Sequence, residues 1–230
     1  MGTPHVIATV SLATAVACFL VLLIDILAGH RQHMLIMNIV YPITALYAGP
    51  LALIVYYTIG RRSTRKAVMQ AKTRAKPPPD MQKPMWQNTI VATLHCGSGC
   101  TLGDIVAEAF LLPFPFALFG MTLYGAWVVE FVLAFGFGIL FQYYSIKPMK
   151  ELSAGPALKA ALRADTLSLT CWQTGMYGWM AVATFLIFHR ELKGSEPVFW
   201  FMMQIGMIFG FIAAYPVNWW LLKRKIKEVM

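Results

Sequence analysis

The sequence predicts an all-α polytopic transmembrane helical bundle, and three observations lead there. Of the 230 residues, 58% are hydrophobic and 13% charged, whereas a soluble domain carries about 45–50% apolar and about 25% charged residues. The apolar residues are gathered into runs near the ~20 residues that a spanning helix needs. The net charge of +9 comes from basic residues clustered between those runs. That is a positive-inside pattern and not a nucleic-acid footprint. The chain is therefore expected to form a single integral membrane domain over residues 1–230, surrounded by lipid and without a nucleic-acid partner.

Six spans are expected. The first runs from Val6 to about Ala28, with Asp25 near its far end. It has no basic leader or small-residue cleavage site, so it reads as a span and not as a cleaved signal. The second, about Met34–Ile59, contains Pro42 and Pro50, which remove backbone donors and bend it. Residues 60–84 form a basic cytoplasmic loop that includes Pro77-Pro78-Pro79. The third span, about Met85–Leu112, is followed by Pro113-Phe114-Pro115, a short turn that pairs it with the fourth, about Phe116–Tyr144. The fifth covers about Ala164–His189 and the sixth about Pro197–Leu222, ending in Trp219-Trp220 and a basic tail. The amino terminus, second loop, fourth loop and tail hold 16 of the 19 Lys and Arg residues. With an even number of spans, both termini are expected in the cytoplasm.

The third span holds the stretch His95-Cys96-Gly97-Ser98-Gly99-Cys100-Thr101-Leu102-Gly103-Asp104. Ionisable groups in hydrocarbon are costly and mark functional sites by default. On a helix Cys96, Cys100, Asp104 and Glu108 form one stripe at a spacing of four. Gly97, Gly99 and Gly103 leave a small-residue face for close helix approach, within the bundle or between copies in an oligomer. A turn near Phe114 puts Glu130 of the fourth span level with Gly99 and Cys100. His95, Cys96, Cys100, Glu130 and Asp104 then form a candidate mid-membrane metal site, for which thiolate and imidazole select copper or zinc over calcium or magnesium. A Cys96–Cys100 disulfide is excluded within an intact helix, where Cβ atoms four residues apart lie about 5–6 Å from each other. As plain packing residues, the cysteines would simply line a glycine-rich interface.

Secondary candidates are Cys171, Glu108, the pairs Met176/Met180 and Met203/Met207, and Asn218. Methionine pairs at this spacing suit a copper(I) relay but are also ordinary core packing. Asp104, Glu108 and Glu130 alternatively form a carboxylate relay for a proton-coupled small-solute transporter, with the cysteines as packing. A membrane redox or accessory subunit is a further alternative, although His95 is the single histidine well inside a span. No hydrolase constellation, phosphate loop or dinucleotide fingerprint is present, so an enzymatic role is not indicated.

The run from His95 to Asp104, together with Phe199-Trp200-Phe201-Met202-Met203-Gln204 and Tyr215-Pro216-Val217-Asn218-Trp219-Trp220, resembles a bacterial family of polytopic membrane proteins. That family is catalogued as a domain of unknown function. The resemblance covers roughly Trp86 to the carboxyl end. It implies a helical bundle in the bacterial inner membrane and no established activity.

Overall fold

A computed structural model describes residues 2–228, without the side chains of Asp80 and Met81. It is all helical, with eight α-helices and no strand among the described residues. They are α1 (Thr3–Leu27), α2 (Met37–Ala48), α3 (Pro50–Thr58), α4 (Arg65–Thr73), α5 (Met85–Leu111), α6 (Thr122–Met149), α7 (Ala154–Ala181) and α8 (Pro197–Lys223). Four of them, α1, α5, α6 and α8, are long and apolar enough to cross a membrane. This is a membrane protein with four such helices, not the six expected. The second and fifth spans are the ones that differ, each for a physical reason.

The second expected span is not one bent helix but two helices folded back on each other. Gly49 takes φ +51° and ψ −126°, a conformation open mainly to glycine, and Pro50 starts α3 where its missing N–H costs nothing. The chain reverses there. Tyr41 and Tyr56 stack edge to face at 5.1 Å, and a Cβ on Gly60 would touch the Tyr41 ring at 2.7 Å. At the open end the His33 amide donates to Ser63 O at 2.8 Å and the Arg65 amide donates to Arg31 O at 2.9 Å. Arg61 clamps this mouth to the end of α1 by a two-pronged contact with Asp25, which also accepts from the Tyr56 hydroxyl. Twelve residues of α2 reach ~18 Å inward at 1.5 Å per residue, over half of a ~30 Å hydrocarbon core.

This re-entrant hairpin returns the chain to the side where α1 ended. The turn at Gly60–Ser63 packs beside Pro79–Gln82, directly before α5 begins. The end of α8 lies beside the start of α5, where the Lys227 ammonium contacts Ala92 O. Ser11, near the start of α1, bonds to Gln204, near the start of α8. The two helices therefore run the same way, and the described chain begins and ends at opposite ends of the bundle.

The fifth expected span starts earlier than anticipated. Helix α7 begins at Ala154 and includes Lys159, Arg163 and Asp165, and it passes into a π-helical turn over Val182–Ile187. Its composition does not place it with the four apolar helices, yet it runs along both α6 and α8. The glycine face of α5 meets its neighbours as expected. A Cβ would come within 2.7 Å of Gly138 Cα from Gly99, 2.3 Å of Ala134 Cα from Gly103, and 2.2 Å of the Trp172 ring from Gly97. Backbone contact of this kind fixes the height of α6 against α5.

Candidate functional site

That height is where the structure departs most from expectation. With Gly99 opposite Gly138 and Gly103 opposite Ala134, Glu130 falls level with Ala107 and Glu108, two turns beyond Gly99. The cause is the connection. Residues 112–121 do not form a tight proline turn; they make an irregular loop with Phe119 and Gly120 at positive φ, and α6 begins only at Thr122. Glu130 therefore misses the cysteines and meets Glu108.

The expected metal set does not assemble. Cys96 and Cys100 are buried, and the Ser168 hydroxyl donates to Cys96 Sγ at 3.3 Å. His95 is buried, edge-on to the Phe141 ring and beside the Phe141 backbone. Asp104 accepts from Gln173 Nε2 at 3.3 Å. No group of three or more His, Cys, Asp or Glu side chains among the described residues is arranged to hold a metal ion. Cys96 and Cys100 lie in the buried core, and with this packing metal content is expected to be the same in wild type and in Cys96→Ser/Cys100→Ser. Elemental analysis of the two purified proteins checks this.

The methionine pairs also do not form a relay. Met207 Sδ accepts from Trp172 Nε1 at 3.3 Å and from the Thr101 hydroxyl at 3.7 Å. Met176 packs on Gly206, while Met180 and Met203 line a cavity. Cys171 is half-buried.

What the fold does assemble is a carboxylate cluster. Asp104, Glu108 and Glu130 are 1%, 6% and 2% exposed. Glu108 and Glu130 hydrogen-bond to each other, and Asp104 is close enough to act on both electrostatically. A hydrogen bond between two carboxyl groups exists only when one carries a proton. The lysine and arginine ion pairs seen among the described residues engage other carboxylates, and the Gln173 amide is the polar group that reaches Asp104. Asp104 Oδ2 and Gln173 Oε1 are buried acceptors without a partner among the described residues.

Glu108 and Glu130 form part of the wall of a cavity of about 440 Å³ between α5, α6, α8 and the 188–196 loop. The rest of the wall is largely apolar, with Leu111, Phe116, Trp127, Phe199 and Met203. The loop is held over Glu108 by three contacts. Trp200 Nε1 donates to Gly194 O at 2.7 Å, Arg190 clasps Glu196 with both nitrogens, and Thr122 donates to Glu191. A Cβ at Gly194 would lie 2.2 Å from Glu108 Oε2, so a larger residue there would push the carboxyl group aside. The Glu196 carboxylate is held below its ordinary range by the Arg190 hydrogen bonds, which keeps this clasp charged at neutral pH.

A second polar group, of which the sequence reading named Asn218 and Cys96 but not Lys227, Asp165 or Ser168, sits at the other end of the bundle. The Lys227 ammonium is fully buried and donates to Asp165 Oδ1 at 2.5 Å and to Asn218 Oδ1 at 2.9 Å. Asn218 Nδ2 passes the contact on to the Ser168 hydroxyl at 2.7 Å, and Ser168 to Cys96. In the sequence Lys227 is one more cation in a basic tail, and Asp165 sits beside Arg163 at the edge of a span. Neither position signals a buried pair.

These features define a helical membrane protein with an intramembrane carboxylate cluster opening on a cavity at one end. Residues 85–227 match a family described as a domain of unknown function, DUF4396, and the chain belongs to that family. The matched region holds the carboxylates, the cavity and Lys227; α1 and the re-entrant hairpin precede it. No curated protein and no solved structure matches the chain.

Proposed function

We propose that the protein is a proton-coupled carrier of a small solute, in which Glu130, Glu108 and Asp104 relay the proton. The observation that carries this reading is the Glu108–Glu130 hydrogen bond in the wall of the 440 Å³ cavity, which Lys193 of the 188–196 loop also lines. Two carboxyl groups at such close range cannot both stay ionised, so the pair holds and releases a proton as a unit. A proton taken from water in the cavity by Glu130 passes to Glu108. From there it passes to Asp104, one helical turn inward, where the Gln173 amide holds the acceptor oxygen. Each transfer restores the donor as a carboxylate, ready for the next proton. The volume and largely apolar wall of the cavity suit a small solute.

Sidedness follows from the re-entrant hairpin. With α2 and α3 entering and leaving on one side, and α7 counted as a crossing helix, the chain crosses five times. All of the 19 Lys and Arg residues except Arg190 and Lys193 then lie at the end that holds α4 and the tail. The positive-inside rule makes that end cytoplasmic. The cavity therefore opens away from the cytoplasm, and the amino-terminal end of α1 lies outside, contrary to the arrangement expected from six spans. The resemblance to a bacterial family supports the inner membrane as its location.

The test is proton movement into vesicles that hold the purified protein and a pH-sensitive dye. Under an imposed pH gradient, Glu130→Gln is expected to slow acidification about 100-fold, the lower range for loss of a positioned proton-transfer group. Cys96→Ser/Cys100→Ser should keep most of the flux. Wild-type flux in a folded Glu130→Gln protein overturns the proposal.

A further inference from the structure

We infer that the Lys227–Asp165 pair is the cytoplasmic gate of this bundle, held shut by the carboxyl-terminal tail. As the inner end of a proton path, the gate rests on the reading just given. Helix α8 ends at Lys223, and the chain then turns back through Lys225 at φ +55°. The amides of Ile226 and Lys227 both donate to Leu221 O, at 3.0 and 3.3 Å. This sends the Lys227 side chain inward between α5, α7 and α8, where its ammonium meets Ala92 O, Asp165 and Asn218. Outside, Glu228 pairs with Lys150 at the end of α6 at 2.6 Å.

A lysine at the edge of a membrane ordinarily extends its charge into water. Lys227 does the opposite, although the basic aqueous face is only a few residues away. The interior it closes is polar. Asp165 Oδ2 and both amide atoms of Gln142 are buried and have no hydrogen-bond partner among the described residues. Buried groups of this kind are normally met by water or by another polar group. Asn218 and Ser168 then continue the hydrogen-bonded string from Lys227 to Cys96, which lies two helical turns from Asp104. Lys227 is thus the stopper between a polar interior and the cytoplasm. It is held by two backbone hydrogen bonds, by the outer Glu228–Lys150 pair, and by the contacts of its ammonium with Asp165, Asn218 and Ala92 O. Withdrawal of the tail opens Asp165, Asn218 and Ser168 to water from inside.

The gate can be tested without any transport. Cys96 is fully buried, so in a protein carrying Cys18→Ser, Cys100→Ser and Cys171→Ser it reports water reaching the end of the string. The probe is a charged, membrane-impermeant methanethiosulfonate applied to vesicles with the tail side outward. In this background Lys227→Ala/Asp165→Asn is expected to label about tenfold faster or more, as a rarely visited open state becomes dominant. Cys96 as slow as in the parent, in a folded double variant, overturns the gate. Should that variant fail to fold, Glu228→Lys decides. It touches only the outer pair, and faster labelling supports the gate while an unchanged rate overturns it. Faster labelling alongside a silent Glu130→Gln keeps the gate and removes the proton relay. An effect of Glu130→Gln with unchanged labelling does the reverse.

Discussion

Replacing Gly103 by leucine is expected to be among the most damaging single changes in the protein, with both stability and the carboxylate pair lost together. A Cβ alone at this position would stand 2.3 Å from Ala134 Cα and 2.4 Å from its amide nitrogen. Those are backbone atoms, so no rotamer change can give way. The helices must separate, and separation also breaks the neighbouring contact between Gly99 and Gly138. Overpacking in a core typically costs about 1–3 kcal/mol, and a backbone-to-backbone clash belongs at or above the top of that range. Glu108 lies little more than a turn from Gly103, so its bond to Glu130 opens as well. Thermal unfolding followed by tryptophan fluorescence should show a clearly lowered Tm. Gly136→Leu on the same α6 helix, where a Cβ would meet open space, is the matched control and should change Tm little.

The second large effect is expected at Lys227. Lys227→Met leaves Asp165 as a fully buried carboxylate without its cation. Breaking a buried pair from one side costs about 3–5 kcal/mol, whereas replacing both members with apolar side chains is often neutral or stabilising. Lys227→Met should therefore unfold far more readily than wild type in a denaturing-detergent titration. Lys227→Met/Asp165→Leu should recover most or all of the loss. Two single losses that simply add in the double variant would show that the residues are not coupled. Recovery of stability would also show that the pair is not kept for stability, which fits its assignment as a stopper.

The all-helical membrane class, the glycine face of α5 and the stripe from Cys96 to Glu108 were legible in the sequence because each rests on periodicity or composition. What surrounds the stripe was not. Whether Glu130 faces thiols or Glu108 depends on a two-turn offset set by the 112–121 loop, and Pro113-Phe114-Pro115 gives no measure of the length of that loop. The Gly49-Pro50 step suits a bend in one helix as well as a complete reversal. The contacts of Tyr41 with Tyr56 and Gly60, and the backbone hydrogen bonds from His33 to Ser63 and from Arg65 to Arg31, separate the two. Lys227 was hidden by its company, since a cation among cations reads as an anchor in the headgroups. Its burial follows from a backbone reversal at Lys225 that no residue type there announces.

The hairpin turn has a consequence for how the protein is made. Because α2 ends at Ala48 and the chain reverses at Gly49, the carbonyl of Leu46 lacks a helical donor, and Gln204 Nε2 supplies one at 2.7 Å. That donor sits on α8 and leaves the ribosome more than 150 residues after Leu46. During synthesis the tip of the hairpin thus carries a bare carbonyl that lipid cannot satisfy. It must wait in water, at the membrane surface or beside the insertion machinery, until the last helix arrives. The amino-terminal third of the chain is then the first to be translated and among the last to settle.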